Sequence, residues 1–159
     1  ETEPKEEYDL STYKWHEGSY YTHTKYCTSS TYGKVDNKTT LDLADDAAYA
    51  NWGGSWHMAT NAEQVELCRE CTWPWTTLNG VNGHKVTSKI NGNSIFLPAA
   101  GCRSTSDMGS AGFDGTYWSS SLNTSSSSGA CYWHFNSGNM GSGYDSRNLG
   151  RSVRPVMVK

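Results

Sequence analysis

Cys68 and Cys71 stand two residues apart, a spacing at which two thiolates can share a metal ion or exchange with a disulfide. A structural zinc site wants four ligands, however, and the chain has no second CxxC. His57 or His84 would complete a set only if folding happened to bring them there. Cys27, Cys102 and Cys131 bring the cysteines to an odd number, in a chain large enough to fold without disulfides. The plain expectation is helical cysteines, one of them packed in the core, with no metal and no cofactor. Carboxylates also thin out along the chain: after Glu70 only Asp107, Asp114 and Asp145 remain. No nucleophile has a base and an orienting group at convincing positions, and a glycosidase pair does not stand out.

Binding chemistry is better represented. From Asn136 to Gly150, ten of fifteen residues are Asn, Ser or Gly, interrupted by Tyr144, Asp145 and Arg147. Between Ile90 and Val158 there is no Lys, Glu or Gln. Lys and Glu are depleted from recognition surfaces because ordering their side chains costs rotamer entropy and desolvating their charge costs more. Tyr, Ser, Gly and Asn are what antibody loops use, combining rigid aromatic area with short, adaptable hydrogen-bonding groups. Taken by composition alone such a tract is more often an exposed loop with no partner. Its position between two strand-like stretches, "YWHF" at Tyr132 to Phe135 and "SVRPVMV" at Ser152 to Val158, makes it instead a polar segment held at both ends.

The elements that must hold it are legible in part. The length of 159 residues suits one domain with one core. Aromatic residues at 13% compensate for a shortage of aliphatic ones. Trp52, Trp56, Trp73, Trp75, Trp118 and Trp133 are expected in the core for the most part, with Phe113 and Tyr117 beside them. A net charge of −3 steers the protein towards neither nucleic acid nor an anionic membrane, and no apolar run is long enough to span one. "STYKW" and "SYYTHTKYC" suggest extended segments broken by turns. Asp45 and Asp46 open a short helix that stops at Gly53-Gly54. A second helix starts at Thr60, where "TNAE" forms a capping box, and carries an apolar stripe of Ala62, Val65 and Cys68, joined by Leu67 and Cys71. Strands follow. Asn79-Gly80, Asn82-Gly83 and Asn91-Gly92 are turn dipeptides, the last between the two halves of a hairpin. "GTYWSSS", "ACYWHF" and "SVRPVMV" are further strands, with a bulge near the second because Ala130, Trp133 and Phe135 do not alternate cleanly. The class is α+β, with early helices and a late antiparallel sheet.

Four blocks carry a resemblance: Trp56 to Thr60 before the second helix, Leu97 to Arg103, Tyr117 to Ser120, and the closing Ser152 to Val156. Their order and spacing resemble the Fibrobacter succinogenes major paralogous domain, a family abundant in Bacteroidetes, over roughly residues 50 to 158. His57 and Ala59 stand where that family usually has Arg and Pro, and Cys102 where it has Tyr. The resemblance implies a C-type-lectin-like fold, related to formylglycine-generating enzymes, in a single domain over residues 1–159. "ETEPK" resembles the middle of longer members, so upstream sequence is expected to be missing.

Within that fold group, variable proteins of diversity-generating retroelements carry adenine-directed changes near the C-terminus of a lectin-like domain. The resemblance then implies a variable ligand-binding region over residues 121–150. Its expected contacts are Ser125, Ser127, Ser128, Cys131, Tyr132, His134, Asn139, Gly141, Ser142, Gly143, Tyr144, Asp145, Ser146, Asn148 and Leu149. Arg147, Arg151 and Arg154 are expected in the scaffold, bonding loop carbonyls through the guanidinium fork. The implied function is non-enzymatic recognition of a protein or glycan at a host, bacterial or phage surface. Its setting would be extracellular, for instance a Bacteroides pilus-tip adhesin or a phage receptor-binding protein. The rivals are a metal-independent carbohydrate-binding module stacking sugar on Tyr132, Trp133 or Tyr144, a spacer subunit of a surface fibre, and a formylglycine-generating-type oxidase. Calcium-dependent lectins pair Glu-Pro-Asn with Trp-Asn-Asp, and neither occurs here.

Overall fold

The computed structural model describes residues 2–19 and 22–157. Glu1, Tyr20, Tyr21 and Val158, which belong to three of the stretches read above, lie outside them. Short helices come first and antiparallel strands follow, an α+β arrangement. Helix α1 spans Ala47–Trp52. Asp46 opens it by accepting from the amides of Ala48 and Tyr49 at 2.8 and 3.0 Å, and Gly53 closes it at φ 65°. The same Asp46 carboxylate accepts from the Met58 amide at 2.8 Å, which fastens α1 to strand β1, Trp56–Met58. Asp45 sits not in the helix but in the 3-10 turn before it. There its buried carboxylate takes the Tyr26 hydroxyl at 2.6 Å and the ammonium groups of Lys14 and Lys25 at 3.0 and 2.6 Å.

Helix α2, Asn61–Glu70, begins as expected: the Thr60 hydroxyl and the Glu63 carboxylate answer each other's free amides across the capping box. Its inward face is different from the expected stripe. Gln64, Leu67, Cys68 and Cys71, spaced i, i+3, i+4 and i+7, face the protein, while Ala62 and Val65 face solvent. The reason is a polar anchor. Gln64 is buried and its Nε2 donates at 3.2 Å to the carbonyls of Tyr117 and Trp118, which fixes the helix's rotation more firmly than one extra valine would.

Strands β2 (Cys71–Thr72), β3 (Trp75–Leu78), β4 (Val81–Ser88) and β5 (Ser94–Pro98) form the first sheet, all paired on β4. Asn79 and Gly80 turn the chain between β3 and β4 at φ 50° and 80°. Asn91-Gly92 turns it between β4 and β5. Asn82-Gly83 makes no turn: both residues lie inside β4. Gly83 is there because β5 passes so close that any Cβ would strike the Leu97 carbonyl.

Next come β6 (Cys102–Ser104), β7 (Asp107–Gly109), β8 (Gly115–Leu122), β9 (Gly129–Phe135), β10 (Met140–Ser146), β11 (Gly150–Arg151) and β12 (Pro155–Met157). They form a three-stranded sheet in the order β10-β9-β8, a smaller one in the order β11-β6-β7, and a pairing of β12 with β1. The expected irregularity near β9 lies on its neighbour, where the register shifts between Trp118 and Leu122 of β8. The core forms between the two larger sheets under α2 and centres on Val86, Leu97, Ala99, Tyr117, Trp133 and Phe135. Phe113, expected inside, is 75% exposed. Residues 2–40 add no named strand among the described residues. They wrap the sheets through isolated bridges such as Tyr8 to Thr105 and Thr40 to Ser121. No helix among the described residues is long and apolar enough to cross a membrane.

Candidate functional site

The middle of the tract that read as a loop between strands is itself a strand. β10 pairs with β9 over its full length, Met140 opposite Phe135 through Ser146 opposite Gly129, and is the edge of its sheet. Alternation then sorts the expected contacts between two faces. Cys131, Trp133 and Phe135 point to the core side, and their partners Tyr144, Ser142 and Met140 share that side. Tyr132 and His134 point the other way, together with Gly143, Gly141 and Asp145 of β10 and with Thr116 and Trp118 of β8.

On this second face the aromatic rings lean across the neighbouring strand. A Cβ added at Gly143 would stand 3.0 Å from the Tyr132 ring, and one at Gly141 would stand 3.4 Å from Nε2 of His134. The two glycines are therefore not open space for a ligand: they are the floor on which Tyr132 and His134 lie, and the rings shield an edge strand that glycine would otherwise weaken. The two rings are 5.9 Å apart, centroid to centroid. Behind Tyr132 the guanidinium of Arg151 is held between two rings, 3.8 Å from that of Tyr132 and 4.9 Å from that of Trp118. Arg151 also pairs with the Asp145 carboxylate, and the Trp118 indole donates to the Leu149 carbonyl at 3.1 Å. The Arg151 side chain is only 4% exposed. The outcome is a stacked and clamped platform with a phenol and an imidazole at its surface, capable of stacking on a flat or cyclic group and of hydrogen-bonding it.

The remaining expected contacts scatter. Tyr144 is 67% exposed and Ser142 is exposed too, but on the opposite face from Tyr132. Ser125 is exposed and Ser128 half-buried in the loop before β9, and Asn139 is exposed in the turn before β10. Ser146 is half-buried at the end of β10. Ser127 cannot serve as a surface contact: it is 1% exposed, and its hydroxyl accepts from the Thr28 amide at 2.9 Å. Cys131 faces the core side, its thiol pushed up by burial and so a poor nucleophile at neutral pH. Trp133, offered above as a sugar platform, is 7% exposed and belongs to the core. Asn148 and Leu149 face the N-terminal segment, the Asn148 amide donating to the Tyr8 carbonyl at 3.4 Å.

Arg147 holds the base of this region. Its Nε donates to the Tyr13 hydroxyl at 3.0 Å, Nη1 to the carbonyls of Tyr26 and Ser127 at 3.0 and 2.9 Å, and Nη2 to that of Lys25 at 2.8 Å. This is the scaffold use expected from the guanidinium fork. Burial, then the charge of Arg147, then that of His16 hold the His23 imidazole down to about 4.

Sequence reasoning passed over Trp118 and Arg151 as parts of this face. Trp118 was recoverable, because Thr116, Trp118, Tyr132 and His134 fall at alternating positions of two strands. Arg151 was not, since only the path of β11 brings it under Tyr132. Among the described residues no three His, Cys, Asp or Glu side chains gather as a metal site, and the five cysteines are free thiols. Comparison with protein-family models, with curated proteins and with solved structures returns no match to this chain.

Proposed function

We propose that this chain is a non-enzymatic binding domain of C-type-lectin-like fold whose β9–β10 surface recognises a protein or glycan ligand at a cell or particle surface. The observation that carries the reading is the separation of tasks along β9 and β10. Backbone pairing and the buried residues Trp133 and Phe135 set the register of the hairpin. The side chains of Tyr132, His134, Ser142 and Tyr144 contribute nothing to the central core cluster. Such positions can change identity without changing the fold, the property a diversified recognition surface needs. Exposed Tyr144 and Ser142 lie on the other face of the same edge strand, so a ligand could grip the edge from both faces. The absence of Lys, Glu and Gln between Ile90 and Val158 matches the composition of recognition surfaces.

The test is a library in which Tyr132, His134, Ser142 and Tyr144 vary together, sorted once for folding and once for binding to an immobilised glycan array and to intact bacterial cells. The reading expects most members to fold and to melt within a few degrees of the parent while their binding profiles diverge. Loss of folding in most members would overturn it, and so would binding profiles that do not depend on these four residues.

A further inference from the structure

On the side of β8 away from the main core, the chain forms a second feature, a half-open cavity of about 460 Å3. This volume lies in the range of small-molecule sites. Its walls come from three places: the irregular end of β8 with Trp118, helix α1 with Ala48, and the N-terminal segment with Tyr8, Tyr13 and Tyr26. Arg147 and Arg151 line it as well.

Charge is what distinguishes this cavity from a packing gap. Arg147 is 9% exposed, and four of its five N–H groups go to one hydroxyl and three carbonyls, all neutral. Among the described residues no carboxylate pairs with it. Asp45, which accepts from the Tyr26 hydroxyl, is already met by Lys14 and Lys25. Arg151 spends its pairing on Asp145, yet its Nε is buried with no hydrogen-bond partner. Glu3 is the sole carboxylate among the lining residues described, and it is exposed. A buried cation without a counter-charge and a buried donor without an acceptor both cost stability, and an anionic group entering the cavity these two residues line offsets such a cost. The rest of the lining mixes aromatic and aliphatic groups with hydroxyls, such as those of Thr39, Thr40 and Ser121, and the side-chain amides of Asn51 and Asn148.

We propose that this cavity is a binding site for a small aromatic carboxylate, its acid group turned towards Arg147 and Arg151 and its ring against Trp118 and the tyrosines. The proposal does not rest on the function proposed above: the two sites share Trp118 and Arg151, but a protein that binds nothing through Tyr132 and His134 would retain this one. Titrating the protein with indole-3-acetate and 4-hydroxyphenylacetate, followed by calorimetry, tests it. Saturable binding is expected for at least one acid, weakened about tenfold or more in the matching neutral amide. Ala48→Leu, which puts a larger side chain on a buried lining position of α1, is expected to abolish binding while leaving the melting temperature the same or higher. Arg147→Lys is expected to weaken it, and the Ala48 variant keeps the test decisive if that protein does not fold. Failure of both acids to bind, equal binding of acid and amide, or unchanged binding in Ala48→Leu would each overturn the proposal.

Discussion

Strand β9 presents two faces built from the same kinds of residue. Trp133 and Phe135 on one face and Tyr132 and His134 on the other are all aromatic rings one position apart. Phe135 is 0% exposed, stacks on Tyr117 with centroids 5.8 Å apart and lies so close to Gly115 that no side chain fits there. Tyr132 and His134 rest on Gly143 and Gly141, at a sheet edge. The first pair is locked by volume from every side, the second by one glycine floor and one arginine. Aromatic content therefore predicts neither burial nor role; what decides is how many neighbours would have to move.

The largest effect should come from the locked face. Phe135→Ala is expected to cost about 3–5 kcal/mol in urea denaturation, and a loss under about 1 kcal/mol would mean the two faces are alike. Arg147→Met should follow closely, losing about 3 kcal/mol or more because three carbonyls and a tyrosine hydroxyl are left without their donor.

Acid should find the same region. His23 is 2% exposed and its pKa is lowered from 6.5 to about 4, so the unfolded chain binds the proton first. Its stability contribution is whole above pH 6.5 and drains away as pH falls towards 4, about 3 kcal/mol in all. Asp45, lowered from 3.8 to about 2 against burial by its bonds to Lys25, Tyr26 and Lys14, adds a further loss between those pH values. Denaturation midpoints measured from pH 7 to 4.5 should slope downward, and the slope should largely vanish in His23→Phe.

The rings outside the core, one on each face, should respond least. Tyr132→Ala is expected to cost about 1 kcal/mol, from the lost stacking on Arg151 and the uncovered Gly143. Tyr144→Ala should stay within about 0.5 kcal/mol of the parent in melting experiments. A Tyr144 loss equal to that of Tyr132 would erase the distinction between a supported ring and a free one.

Local rules carried the sequence reading where a few adjacent residues suffice. The capping box at Thr60, the Gly53 stop and the Asn79-Gly80 and Asn91-Gly92 turns are each completed within four residues. The candidate site was legible only as composition. Small polar residues from 136 to 150 suggested a loop, because a strand rich in glycine has low intrinsic preference for that state. Pairing with β9 overrode it, and rings from β9 supplied the cover that β10 lacks. Asn82-Gly83 misled for a related reason: a glycine can mark the close passage of another strand as well as a turn.

What the amino-acid order determined by itself is therefore the α+β class, the helix starts and the tightest turns, since those depend on dihedral preferences and hydrogen bonds between near neighbours. Tertiary structure alone decided that Val65 faces water while Gln64 is anchored, that Ser127 is buried while Ser125 is not, and that Tyr132 and Tyr144 sit on opposite faces. These outcomes depend on register and on contacts between distant segments, where shifting a strand by one residue exchanges every inward side chain for an outward one.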